Sequence, residues 1–122
     1  MSSDIMRYVG GAVPSERRVP QSNLLMTRMG IGTTAISISC EWSGYDLLIV
    51  CAMFYGNVMA SVVVPGDYFA GTTSGGRVTV TDPANNRRFE VWKNGDDAVY
   101  AKIVSSPDSA FGVRIYGVLF GE

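Results

Sequence analysis

The sequence predicts an all-β protein, an antiparallel β-sandwich of jelly-roll-like form with an irregular N-terminal arm. Three observations carry this expectation. Short apolar–polar alternations recur along the chain at roughly ten-residue spacing. Turn-forming clusters such as Gly56-Asn57, Pro65-Gly66, Asp82-Pro83-Ala84-Asn85-Asn86 and Asn94-Gly95 separate them. A helical 3.6-residue period is almost absent. At 122 residues, 47% of them hydrophobic, the chain has the material for one domain with a core and is too apolar to be disordered.

Residues 1–30 differ from the rest. They contain Pro14, Pro20, a Gly10-Gly11 pair and four arginines, and no period runs through them. Leu24-Leu25-Met26 followed by Met29 and Gly30 has the form of one helical turn with a glycine stop. The arm is too irregular to fold by itself, so a neighbouring subunit is expected to hold it. The sandwich domain is expected over 31–122.

From residue 31 the strand signals follow in order. In 35–42, Ile36, Ile38, Cys40 and Trp42 alternate with Ser37, Ser39 and Glu41, the pattern of a half-buried strand. Ser43-Gly44 would then turn it against the next strand, setting Cys40 opposite Leu47. Residues 45–55 are apolar on both faces, and Gly56-Asn57 is a hairpin signal returning the chain along 58–64. With that turn, Met53 opposes Ala60 and Cys51 opposes Val62. The face of Leu47, Ile49, Cys51 and Met53 then looks like core. The opposite face carries Leu48, Val50, Ala52, Phe54, Met59, Ser61 and Val63. Residues 77–81, 87–93, 97–104 and 111–119 complete a set of seven strands, with 71–76 as a loop. A three-residue turn, Asn94-Gly95-Asp96, places Phe89 and Val91 with Val99 and Ala101. Arg88, Glu90 and Trp92 then share the other face with Ala98, Tyr100 and Lys102, and Arg88 opposes Lys102.

Composition excludes several classes of chemistry. The chain has no histidine, which removes Ser-His and Cys-His nucleophile pairs and the commonest metal ligand. Cys40 and Cys51 have no CxxC neighbour, so neither a zinc site nor any other metal site is expected. A disulfide between them is not expected either, because the proposed pairing separates them by about 13 Å. Asp96-Asp97 lies in a turn that favours aspartate for local hydrogen bonding. No glycine-rich loop joins a strand to a helix, so no phosphate cradle or cofactor is expected. A net charge of −1 offers no field for nucleic acid. The longest apolar run, nine residues over 47–55, falls far short of the twenty or so that span a bilayer. The reading is therefore a non-enzymatic protein with no membrane insertion.

Two surfaces are candidates for function. Arg88, Glu90, Trp92, Tyr100 and Lys102 form a ligand or partner surface, since an exposed tryptophan among polar groups can stack on a sugar face. Trp92 packed against another strand or subunit remains the competing explanation. Leu48, Val50, Phe54, Met59 and Val63 form an oligomer seam, because a sandwich core uses only one face of the hairpin and monomers avoid large exposed apolar patches. Cover by the chain's own second sheet, or by the arm folded back, is the alternative for that face. Trp42, in phase with Ile36, Ile38 and Cys40, is expected in the core.

The stretch WSGYDLLIVCAMFYGN (residues 42–57), the following SVVVP (61–65) and the closing VRIYGVLF (113–120) together resemble the terminal β-sandwich domains of bacteriophage tail fibres and tail receptor-binding proteins. In that loose family a Tyr-Asp-apolar strand leads into a hairpin and the domain closes on an Ile-Tyr-Gly strand. The resemblance covers residues 31–121. It implies a homotrimeric virion component, made in the host cytoplasm, that binds the host surface through a glycan or protein receptor. Residues 1–30 would contact other virion proteins. A purely structural virion subunit, in capsid decoration or tail assembly, and an unrelated carbohydrate-binding β-sandwich are the alternatives.

Overall fold

The computed structural model describes residues 21–71, 77–104 and 108–120. Their order is β1 (Gln21–Met29), β2 (Ile36–Ser39), β3 (Leu47–Phe54), β4 (Asn57–Pro65), a short helix α1 (Gly66–Gly71), β5 (Val78–Asp82), β6 (Arg87–Lys93), β7 (Ala98–Ile103) and β8 (Phe111–Leu119). The strands form two antiparallel four-stranded sheets, β1-β8-β3-β4 and β2-β7-β6-β5. This is the expected all-β sandwich. The first strand pairs with the last and the second with the second-to-last, the wrapping of a jelly roll. The inner strands pair locally instead, β3 with β4 and β5 with β6 and β7.

Core side chains come from alternate positions of both sheets. Leu48, Val50 and Ala52 of β3 and Val113 and Ile115 of β8 face Val78, Val80, Phe89, Val91, Val99, Ala101 and Ile103 of the second sheet. Phe89, Phe111 and Phe54 run as an aromatic chain across one end, with ring centroids 6.1 and 4.9 Å apart. At the other end Trp42 meets Phe69 of α1 edge-on at 5.0 Å. The Trp42 Nε1 donates to the carbonyls of Gly95 and Ala98 at 3.0 and 3.2 Å. Trp42 therefore lies in the core as expected, with its polar atom satisfied.

Four expectations are corrected. The first concerns the arm: residues 21–29 are not an irregular segment with a helical turn but an edge strand along β8. Its register slips between Leu24 and Met26, so Leu25 is extra. That bulge breaks the two-residue period and hides the strand from a pattern reading. The rest of the expected arm, residues 1–20, lies outside the described residues.

The second concerns Ser43-Gly44, which does not close a hairpin. β2 and β3 belong to different sheets, and the segment between them carries the chain across the sandwich, with Gly44 at φ 90°. Cys40 consequently does not face Leu47. It is buried in the core, whereas Cys51 is buried on β3 outside the core cluster.

The third concerns the β3–β4 hairpin. Its loop is Tyr55-Gly56, both at positive φ (53° and 80°), not Gly56-Asn57. Phe54 pairs with Asn57 and Met53 with Val58. Beyond an extra residue at Met59, Ala52 pairs with Ala60 and Cys51 with Ser61. A one-residue slip exchanges faces. The core side of β3 is therefore Leu48, Val50, Ala52 and Phe54, joined by Ala60, Val62 and Val64 of β4. Leu47, Ile49, Cys51 and Met53 point to the outside.

The fourth concerns the β6–β7 turn, which spans Asn94 to Asp97 and is closed by Asn94 N–H donating to the Ala98 carbonyl at 2.9 Å. The strands slide by two residues relative to expectation, so Val91 faces Ala101 and Phe89 faces Ile103. A two-residue slide preserves the faces. Gly95 adopts the left-handed conformation at φ 74°.

Candidate functional site

The outer faces of the two sheets differ in kind. On the second sheet the outward positions are polar: Thr79 and Thr81 on β5, Arg88, Glu90 and Trp92 on β6, Tyr100 and Lys102 on β7, Ser37 and Ser39 on β2. The five residues expected on one surface do share this face. Their pairing departs from expectation, because the two-residue slide sets Glu90 opposite Lys102 and Trp92 opposite Tyr100. Arg88 lies instead beside Val104, whose N–H donates to the Arg88 carbonyl at 2.8 Å. The expected pairing of Arg88 with Lys102 does not form.

Arg77, just ahead of β5, organises the face and was missed in the sequence because it stands between a loop and a strand. Its Nη1 donates to Glu90 Oε1 at 2.8 Å, and Lys102 Nζ stands 3.9 Å from the same oxygen. The Arg77 guanidinium also lies 3.8 Å from the Trp92 ring centre, and Tyr100 packs against that ring from the side at 5.5 Å. The indole is left only 9% exposed. The packed alternative for Trp92 is the one observed, and its face is closed to a stacking sugar.

Outward positions on the first sheet are apolar. Leu24, Tyr116, Ile49 and Val63 form one row of cross-strand partners running through β1, β8, β3 and β4. Val118 and Leu47 lie beside it toward one end, Met53 and Val58 toward the other. Leu24 is 58% exposed, Val63 54% and Met59 40%. Leu47, Ile49, Tyr116 and Val118 are half-buried, and Cys51 and Met53 buried. The cation on this face, Arg114, lies flat. Its Nε donates to Thr27 Oγ1 and its Nη1 to the Tyr116 hydroxyl, both at 3.3 Å. Burial raises the Cys51 thiol pKa, and the charge of Arg114 partly offsets that rise.

Of the residues expected on a seam, Met59 and Val63 are exposed here. Leu48 and Val50 are fully buried between the sheets, and Phe54 packs on Phe111. The chain's own second sheet covers these three, the alternative left open by the pattern.

Two hollows open among the described residues. One, of about 370 Å³, opens where the edges of β1 and β2 part, between Asn23, Leu25, Ser39, Glu41 and Tyr45. The other, of about 290 Å³, lies at the end of the second sheet between Thr81, Asn86, Arg87, Arg88 and Val104. Among the described residues no group of three or more His, Cys, Asp or Glu side chains is placed to hold a metal ion. No described helix is long and apolar enough to cross a membrane.

Comparison with protein-family models, with curated proteins and with solved structures finds no match.

Proposed function

We propose that the chain is a non-enzymatic assembly module that works as a homo-oligomer, joined through the outer face of the β1-β8-β3-β4 sheet. One observation carries this reading: the unbroken apolar row Leu24, Tyr116, Ile49 and Val63 crosses all four strands. Water contact along such a row forfeits roughly 1.5–3 kcal/mol for each large side chain that could be fully buried. The occupant is a second copy of the chain. Sheets stack face to face at about 10 Å, and a flat row reaching both edges matches another like it. Arg114 lies toward β1, which leaves the β3–β4 half of the face without charge among the described residues.

The virion setting rests on the resemblance of residues 31–121 to phage tail domains, and the trimer that resemblance implies would need a second contact besides this face-to-face one. Within that setting, the closed stack over Trp92 favours a structural subunit over a lectin that grips sugars on this ring. The polar outer face of the second sheet is the one left for a receptor or a neighbouring virion protein.

Light scattering at micromolar concentration tests the association. The expected result is a mass of two or more chains for the wild type and a folded monomer for Val63→Asp. A wild-type monomer would sink the reading.

A further inference from the structure

We propose that the hollow between Thr81, Asn86, Arg87, Arg88 and Val104 is a binding site for a carboxylate-bearing sugar, a uronate. The site stands at the end of the second sheet and does not depend on self-association through the first.

The turn joining β5 to β6 builds it. Asp82 is fully buried and spends its carboxylate on the turn: Oδ1 accepts from the Ala84 and Asn85 N–H groups at 3.1 and 3.4 Å, and Oδ2 from the Asn85 amide at 2.7 Å. Asn86 closes the turn in the left-handed region at φ 52°, which asparagine tolerates. The chain then enters β6 on two adjacent arginines whose side chains leave opposite faces of the strand.

Neither arginine is fully used. The Arg87 guanidinium lies 5.3 Å from the Phe111 ring centre, and its Nη1 donates to the Asn85 and Asn86 carbonyls at 3.0 and 3.2 Å. Its Nε is buried and has no acceptor. An orphaned donor of this kind costs about 1–3 kcal/mol. Arg88 is exposed, and its side chain makes no hydrogen bond or ion pair among the described residues. Among the described residues no carboxylate lines the hollow.

Two arginines line the hollow with no described acid beside them there, which favours an anion, and a guanidinium fork matches a carboxylate. The remaining lining sets the rest of the ligand. The Thr81 hydroxyl and the Asn86 amide each donate and accept, as sugar hydroxyls require, and Val104 offers an apolar wall. A hollow of about 290 Å³ has room for one ring and not for an extended chain.

Titration of the intact chain with glucuronate, followed by the NMR signals of the arginine Nε–H groups, tests the site. The expected result is saturable shifts of Arg87 and Arg88, with glucuronate binding at least about tenfold tighter than acetate, sulfate or glucose. Arg88→Gln should weaken glucuronate about tenfold or more, the loss of a charge-assisted hydrogen bond. Thr81→Val should bring glucuronate down to the level of acetate with the fold unchanged. Absence of shifts with any probe, or equal binding of acetate or sulfate, would overturn the proposal. Tighter binding of glutamate than glucuronate would overturn it in favour of an acidic peptide.

Discussion

Tyr55 occupies the first position of a two-residue hairpin loop at φ 53°, a conformation that costs an ordinary side chain about 1–2 kcal/mol. Its ring is 74% exposed and rests on Phe54 at 4.5 Å, a contact too open to return that cost in full. Asn-Gly is the pair such a turn favours. Tyr55→Asn should therefore raise stability by about 1 kcal/mol, read as a higher urea midpoint with an unchanged slope. Cys40 gives a prediction in pH. Burial pushes its thiol from 9.0 up to about 12, so the folded chain keeps the proton where the unfolded chain has lost it. The stabilisation is complete below pH 9 and declines as pH rises from 9 toward 12. Urea unfolding at a series of pH values from 7.5 upward should show the decline, and Cys40→Ala should flatten it. An equal slope in both proteins would show that other groups carry the effect.

At the scale of the element, β6 shows how neighbours decide the role of a residue. Parity assigned Arg88, Glu90 and Trp92 to one face correctly, because apolar residues at positions 89 and 91 leave no other choice. Parity could not see Arg77, which comes from just ahead of β5 and covers the indole. Trp92→Ala should therefore cost about 3 kcal/mol, at the lower end for a buried aromatic, since the ring lies on an outer face. Thermal unfolding measures it, and a loss under 1 kcal/mol would mean that the ring is free. The hairpin β3–β4 gives the opposite lesson. All eight residues of β3 are apolar, so alternation could not choose a face, and a single extra residue at Met59 decided it. Leu48, Val50 and Phe54 became core, and Ile49, Met59 and Val63 became surface.

For the whole molecule, the sandwich has one polar outer face and one apolar outer face, and the proposed association rests on that asymmetry. The two aspartate substitutions on the hairpin separate folding from assembly. Val50 has no exposure and sits between the sheets, so Val50→Asp buries an unpaired carboxylate and should leave the chain unfolded by circular dichroism. Val63→Asp, on the exposed side of the adjacent strand, should keep the native spectrum and lose only the oligomer. If both variants unfolded, the outer face would be serving the fold itself and not a seam.

The amino-acid sequence by itself determined the strand inventory from residue 36 onward, the core position of Trp42, and the common face of Arg88, Glu90, Trp92, Tyr100 and Lys102. These are local properties: alternation within one strand and turn chemistry between two. The tertiary structure alone decided that residues 21–29 are a strand, which sheet β2 joins, which side of β3 is core, and that Arg77 closes over Trp92. It also decided that Arg87 and Arg88, looking like an ordinary solvated doublet, open into one hollow with Thr81 and Asn86. Each depends on a bulge, a crossing between sheets or a contact across strands. In a sheet the side-chain period is two, so one inserted residue reverses every face beyond it, and a local pattern carries no record of the partner strand that absorbs the insertion.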